Sequence, residues 1–188
     1  MARARSPEKR SAILSAAVEE IAEAGLAAPT AKIAKRAGVA EGTLFTYFAT
    51  KEELLNQLYL HLKTEGYARI NTGYPHTASL KRRLWHVWSS YLDWAIEFPN
   101  KRKVSVQLNV SDMLTAGTRA KAAAERALVD STLGELERRG TLRDLPPRFA
   151  AAMMSAMQEA TMEFAARQPK QRQKLIENAF ELFWQATK

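Results

Sequence analysis

The chain has 188 residues, enough for one large domain or for a small domain joined to a larger one. It contains no cysteine, which excludes disulfides, thiolate metal sites and cysteine nucleophiles, and no run approaches the ~20 apolar residues of a membrane span. A formal net charge of +8 favours an anionic partner, either nucleic acid or an acidic membrane surface, and the opening MARARSPEKR has basic residues with no apolar run behind them, so a cytoplasmic protein is the simplest expectation.

Nearly every segment has a helical period and sustained alternation is lacking, so the expected fold class is all-α. Ser6-Pro7 supplies an N-cap and a residue preset for the first helical position. Behind it Ile13, Leu14, Ala17, Val18 and Ile21 form one apolar stripe, and Gly25 is the stop. Pro29-Thr30 opens a second helix, predicted to bury Ile33, Ala34 and Ala37 while Lys32, Lys35 and Arg36 reach solvent. Gly38 closes it, and Val39 plugs the turn that follows.

From Ala40 to Phe48 the 3.6-residue period puts Leu44, Phe45 and Phe48 on a face expected to be buried, with Gly42, Thr43 and Thr46 opposite and Tyr47 at the edge. That outer face carries small polar groups, and Gly42 lets backbone come close to a partner, which suits a groove and its phosphates. Helices below roughly 12 residues are marginal alone, so both stubs need a core made by their neighbours. Thr50 and Glu53 form a capping box that starts a fourth helix, running to about residue 70. Lys51, the first residue after the cap, puts a positive charge at the positive end of a helix dipole, a placement that makes sense if a phosphate arrives. Leu54, Leu55, Leu58 and Leu62 continue the small domain's core, whereas Tyr59, Lys63 and Gly66 form a second line expected to face the larger domain.

NTGYPHTAS, residues 71 to 79, is the strongest loop signal, and the domain boundary is placed there: 1 to 70 and 71 to 188. A Trp-rich helix then runs to the Phe98-Pro99 stop, followed by a shorter one around 101 to 112. Residues 118 to 139 read as one long helix ending at Gly140, and two more follow, from about Pro147 to Arg167 and from Gln171 to Thr187. Leu84, Trp88, Tyr91 and Ala95 share one face, Trp85 and Leu92 another, and Met153, Met154 and Met157 cluster in the penultimate helix. Such residues suit an adaptable apolar cavity and equally a plain core. Glu159 fits a solvent-facing position or a contact to a cationic ligand. In the last helix Phe180, Phe183 and Trp184, beside Leu175, Ile176 and Ala179, exceed one apolar face, which predicts a four-helix dimer interface with the penultimate helix. His61, His76 and His86 lie apart with no ligand spacing, and there is no nucleophile motif or phosphate loop. No metal, cofactor or catalytic residue is therefore expected, and the chain is not read as an enzyme.

The residues Pro29-Thr30, Ile33-Ala34, Ala37-Gly38-Val39, Gly42-Thr43-Leu44-Phe45, Tyr47-Phe48, Lys51-Glu52 and Leu54 together resemble the helix-turn-helix DNA-binding segment of TetR-family transcriptional repressors. Within that family AGVAEGTLFTYFATKEELLNQLYLHLK is similar to RamR-type multidrug-sensing regulators, with AATMEFAARQP as a second point of likeness. The resemblance implies a homodimer that binds a palindromic DNA operator and is released by a small-molecule inducer, aromatic or amphiphilic, in control of an efflux gene or its activator. It places Thr30, Thr43, Tyr47 and Lys51 on DNA, joined by Arg36, Gly42 and Thr46 from the outer helix faces, and Arg3 and Arg5 in a basic arm. For the inducer the candidate contacts are Tyr59, Lys63, Leu84, Trp88, Tyr91, Met154 and Met157. Two positions depart from the family pattern: Phe45 stands where Tyr is usual, and Thr46 where a larger hydrogen-bonding side chain is common, so fewer base contacts are expected there. Three rival readings stay open: a sensor of a narrow metabolite or an activator, an enzyme on a helical scaffold, and a membrane-surface protein. Against the last, positive charge does not form one amphipathic stripe.

Overall fold

Local signals in the chain become helix ends in the computed structural model, which describes residues 6 to 188; Arg3 and Arg5 lie outside them. Ser6 Oγ accepts from Lys9 N, opening α1 (Pro7–Ala24), and Gly25, with φ 78°, ends it by donating to Ile21 O. Next come α2 (Thr30–Arg36), α3 (Glu41–Tyr47) and α4 (Lys51–Asn71). The capping box of α4 forms with a one-residue shift: Glu53 N donates to Thr50 Oγ1, but the Glu53 carboxylate reaches back to Ala49 N. α5 (Leu80–Glu97), α6 (Pro99–Asn109), α7 (Ala116–Glu125), α8 (Ala127–Glu137), α9 (Phe149–Arg167) and α10 (Arg172–Thr187) complete the chain, with short 3-10 turns at Gly140–Asp144 and Pro169–Gln171. Among the described residues there is no strand, and the all-α class holds.

The helices gather into two compact units. The first comprises the described part of Met1–Glu65 with Phe98–Ala123, and the second comprises Gly66–Glu97 with Ala124–Lys188. Thus α6 and α7, which follow the 71 to 79 loop in sequence, pack with α1 to α4, and α4 itself passes from one unit to the other at Glu65/Gly66. Val104 and Leu108 of α6, Leu114 and Ala122 enter the same apolar cluster as Ile13, Val18, Ile33, Leu44 and Leu58. Polar ties fix the α6 to α7 connection on α4. The Asn56 amide donates to Glu52 O and Met113 O and accepts from Thr115 N, and Tyr59 OH donates to Asn109 Oδ1.

The predicted long helix over 118 to 139 is broken at Arg126, whose φ −87° and ψ 1° leave the helical region. The break falls where the packing partner changes. Thr118 and Ala122 of α7 are buried in the first unit, while Val129, Thr132, Leu133 and Leu136 of α8 are buried in the second. α4 crosses the same boundary without a break, whereas here the chain spends one residue on a turn.

In the second unit α5 is the central element. Trp88 is fully buried, stacks on Phe183 at 6.0 Å and meets Phe180 at 5.9 Å, while its indole N–H donates to Ile176 O. Gln158 of α9 donates to Trp88 O, so one residue gathers α9 and α10. The loop before α5 is pinned by Tyr74 OH on Thr132 and by Arg83 Nε, which donates to Ala78 O, while His86 Nε2 meets Ile70 O of α4 and the Arg83 guanidinium pairs with Glu135 of α8 at 2.5 Å. That guanidinium holds the Glu135 carboxyl below the usual carboxylate range. No described helix is long and apolar enough to cross a membrane.

Candidate nucleic-acid interface

α2 and α3 have seven residues each, too short to persist unaided, so every contact that holds them matters. Ile33 and Ala34 from α2 and Leu44 from α3, with Phe48 just beyond, are buried among Ile13, Leu14, Ala17 and Ile21 of α1 and Leu54, Leu55 and Leu58 of α4. Gly38 turns the chain between them with φ 67°, a conformation that costs a side-chain-bearing residue energy, and Val39 N then donates back to Ala34 O. Val39 packs against the core as expected of a plug.

Polar ties then set the orientation of the pair. Arg36 joins Glu20 at 2.7 Å and Glu23 at 2.9 Å, lashing the end of α2 to α1, and these carboxylates push its guanidinium pKa further up. Thr30 Oγ1 donates to Glu41 Oε1 at 2.6 Å, linking the first residues of α2 and α3. Tyr47 OH accepts from Ser6 N at 2.8 Å, so α3 is also fastened to the beginning of α1. Arg10 lies over the Phe48 ring at 5.6 Å and reaches Gln57 of α4.

One expectation changes here. Phe45, predicted to be buried, is 40 % exposed, while Tyr47, predicted at the edge, packs against the core with its ring. The buried stripe of α3 is Leu44, Tyr47 and Phe48, spaced i, i+3, i+4; Phe45 sits at i+1, where the helix turns it by 100° away from that axis. In so short a helix, one residue's phase decides which aromatic faces out.

The candidate DNA residues therefore fall into two groups. Gly42 and Thr46 are exposed, Thr43 and Lys51 are partly exposed, and nothing lies within 4 Å of the place a Cβ at Gly42 would take. Lys51 is the first residue of α4, behind the Thr50 cap. Thr30, Arg36 and Tyr47 are engaged inside the protein by the ties just described, so their first task here is to hold the two helices in place. The phenol of Tyr47 still has its own proton to donate, because its oxygen is the acceptor for Ser6 N. The Ser6, Glu20 and Glu23 partners lie 41, 16 and 13 residues away from theirs, separations with no local pattern to reveal them.

The residues considered for an inducer divide between the units. In the first, Tyr59 is buried and carries Lys63 over its ring at 5.1 Å. In the second, Leu84 and Trp88 are fully buried and Met154 nearly so, in the packing of α5 with α9 and α10, whereas Tyr91 and Met157 keep part of their surface. The residues considered for a second chain are also distinct in surroundings. Phe180 and Phe183 are buried against Trp88 within the single chain, and Trp184 is half-buried with Lys81 5.9 Å from its ring centre. Leu182 of α10 is 66 % exposed, and α9 turns Phe164 outward near its end, at 49 %, and Phe149 at its start, at 42 %.

Residues 13 to 58, which contain α2, α3 and the start of α4, match the model of bacterial regulatory proteins of the tetR family. A curated relative, the fatty acid metabolism regulator protein of Bacillus subtilis, is 40 % identical over 73 residues, spanning 38 % of this chain and 38 % of that protein. Over nearly the whole chain the fold matches a TetR family transcription regulator from Marinobacter aquaeolei, at 23 % identity, TM-score 0.82 and 95 % coverage of both chains. It also matches the transcriptional regulator FadR of Bacillus subtilis, a structure in complex with stearoyl-CoA, at 25 % identity and TM-score 0.71, covering 92 % of this chain and 96 % of that one. The fold is TetR-like with an N-terminal helix-turn-helix, and residues 13 to 58 are similar to the regulatory proteins of that family.

Proposed function

We propose that this TetR-like chain is a ligand-responsive transcriptional repressor, cytoplasmic and homodimeric, which binds a palindromic DNA operator and leaves it when a small apolar or amphiphilic inducer is bound. The observation that carries the reading is the α2–α3 pair. Its core and its polar ties are all inside the first unit, while Gly42, Thr43 and Thr46 face outward and Lys51 stands beside them in sequence at a capped helix start. Small side chains on a rigid helix admit close approach to a major groove, and a lysine nearby supplies a phosphate contact. Thr30, Arg36 and Tyr47 act in this scheme chiefly by positioning α2 and α3. Two-fold symmetry of the dimer puts the recognition helices about 34 Å apart, one turn of B-DNA, so the half-sites follow that spacing.

The dimer is assigned to α9 and α10, whose packed pair leaves Phe164 and Leu182 outward; a second copy of the same pair completes a four-helix arrangement and covers them. For the inducer, the candidates are taken unit by unit: in the first, Lys63 keeps accessible surface over the buried Tyr59; in the second, Tyr91 and Met157 keep accessible surface, while Leu84, Trp88 and Met154 are packed. The stearoyl-CoA of the FadR neighbour supports a long amphiphile, and the aromatic content of α5 supports a flat apolar one. Target genes for disposal of such amphiphiles, by efflux or its activator, follow from that inducer class.

Release by an inducer is a coupling free energy between two sites: each tenfold loss of DNA affinity corresponds to ~1.4 kcal/mol, and operator DNA weakens inducer binding by the same factor. The test is a titration of the DNA-bound protein with stearoyl-CoA, a bile-acid-like amphiphile and a flat cationic dye. The expected result is release by at least one of them, with reciprocal loss of that ligand's affinity when DNA is present. No release across the three classes argues for a narrow metabolite sensor. A gene deletion that lowers target transcription instead of raising it shows an activator.

A further inference from the structure

We infer that α3 reads its operator chiefly through thymine methyl groups, with Phe45 as the specificity-determining contact; the inference rests on the DNA-binding reading above. Base edges are commonly fixed by Arg or Lys on guanine and by Asn or Gln on adenine, side chains whose donors and acceptors engage two atoms at once or reach far. The α3 sequence, EGTLFTY, has none of these. Its own polar groups are largely committed: Glu41 accepts from Thr30, Thr46 Oγ1 donates to Gly42 O at 3.0 Å, and Tyr47 OH accepts from Ser6 N. Thr43 Oγ1 and the phenol proton of Tyr47 are the hydroxyl groups left to donate, and neither can engage two atoms of a base edge at once.

What the helix offers outward is mostly carbon. Phe45 is 40 % exposed on a helix whose buried stripe passes it by, and Gly42, three residues earlier on the same side, leaves open space beside it. With its hydroxyl turned back on the backbone, Thr46 keeps its methyl for contact. In the major groove the C5-methyl is the one apolar group on a base edge; it marks thymine, and apolar side chains including Phe contact it. A ring in the groove beside a glycine that admits the backbone is suited to that methyl and to no hydrogen-bonded edge.

Duplexes recovered from a random pool by the wild-type protein supply the probe. Each thymine in the preferred half-site is then replaced by deoxyuridine, which removes the methyl and leaves the hydrogen-bonding edge unchanged. The expected result is at least one thymine per half-site whose replacement lowers affinity about fourfold, the worth of one buried methyl. Phe45→Ala should bind the thymine and deoxyuridine duplexes alike, while Phe45→Tyr, which keeps the ring, should still distinguish them. Equal wild-type affinity for the two duplexes overturns the inference and leaves DNA binding intact. So does a Phe45→Ala protein that retains the full thymine preference. Recovery of no preferred duplex overturns the DNA-binding reading together with it.

Discussion

Aromatic residues meet opposite fates in α3 and in the α5–α10 pair. Trp88, Phe180 and Phe183 close on one another with ring centres about 6 Å apart and are lost to solvent, whereas Phe45 remains 40 % exposed only a residue from fully buried Leu44. Phase on the helix decides which side chain is left out, as with Phe164 on the 19-residue α9, and length decides how much the helix can bury. α5 and α10 run for 18 and 16 residues, so each sustains a continuous stripe and can bury bulky rings along it. α3 has seven residues and room for one short stripe, and anything one position out of phase must face outward. A helix too short to bury all of its aromatics thereby acquires a surface that is apolar and rigidly placed.

Single substitutions sharpen that contrast. Trp88→Ala removes a ring packed between α5 and α10 and should cost ~3–5 kcal/mol in denaturant unfolding, because the cavity it leaves adds to the lost burial. Phe45→Ala should cost less in the same measurement, about 1–2 kcal/mol, since the ring keeps 40 % of its surface in solvent and leaves no enclosed cavity. A large loss of stability from Phe45→Ala would break the comparison. Leu182→Asp places a charge on the outward face of α10 and should convert the dimer to monomer in sedimentation at micromolar concentration with the helical content kept; a dimer that persists rules that face out.

Smaller effects belong to charge. Lys51→Ala should weaken DNA binding across sequences and reduce the slope of log affinity against log salt by ~1, one phosphate's share. His61 lines a small cavity of about 60 Å³ with Leu14, Val18, Leu62 and Lys101, and burial there holds its imidazole below the ordinary value despite Glu65 nearby; Lys101 and Arg10 add to the lowering. A depressed imidazole pKa means the unfolded chain binds the proton more readily, so this part of the stability is present above the unfolded value and is lost as pH falls through the ordinary imidazole range. His61→Gln should flatten that slope in pH-dependent unfolding, and an unchanged slope assigns it to other groups.

How much of this was legible in the sequence depends on how local the cause is. Ser6, Gly25, Gly38 and the Thr50/Glu53 pair act within five residues of themselves, and both ends of α1, the end of α2 and the start of α4 follow from them. The break at Arg126 does not, because it arises where the packing partner changes and no glycine or proline marks it. Nor was it visible which apolar face of α10 turns inward: both faces carry large side chains, and Trp88, 95 residues before Phe183, decides that Phe180 and Phe183 are buried and Leu182 is left outside. At the interface, Gly42, Thr43, Thr46 and Lys51 keep the outward access expected of them. The roles of Thr30, Arg36 and Tyr47 as fasteners depend on Glu41, Glu20, Glu23 and Ser6, partners set by the tertiary fold.

In the proposed function the outward side of α3 and the start of α4 form a DNA-binding surface. The most direct measurement is the affinity of wild-type protein and the Thr43→Ala/Lys51→Ala double variant for a duplex selected by the wild type, with sedimentation of both proteins alongside. The expected result is a loss of about tenfold or more, the worth of two hydrogen bonds, one of them charged, in proteins of the same oligomeric state. Equal affinity of the two proteins for that duplex would contradict it.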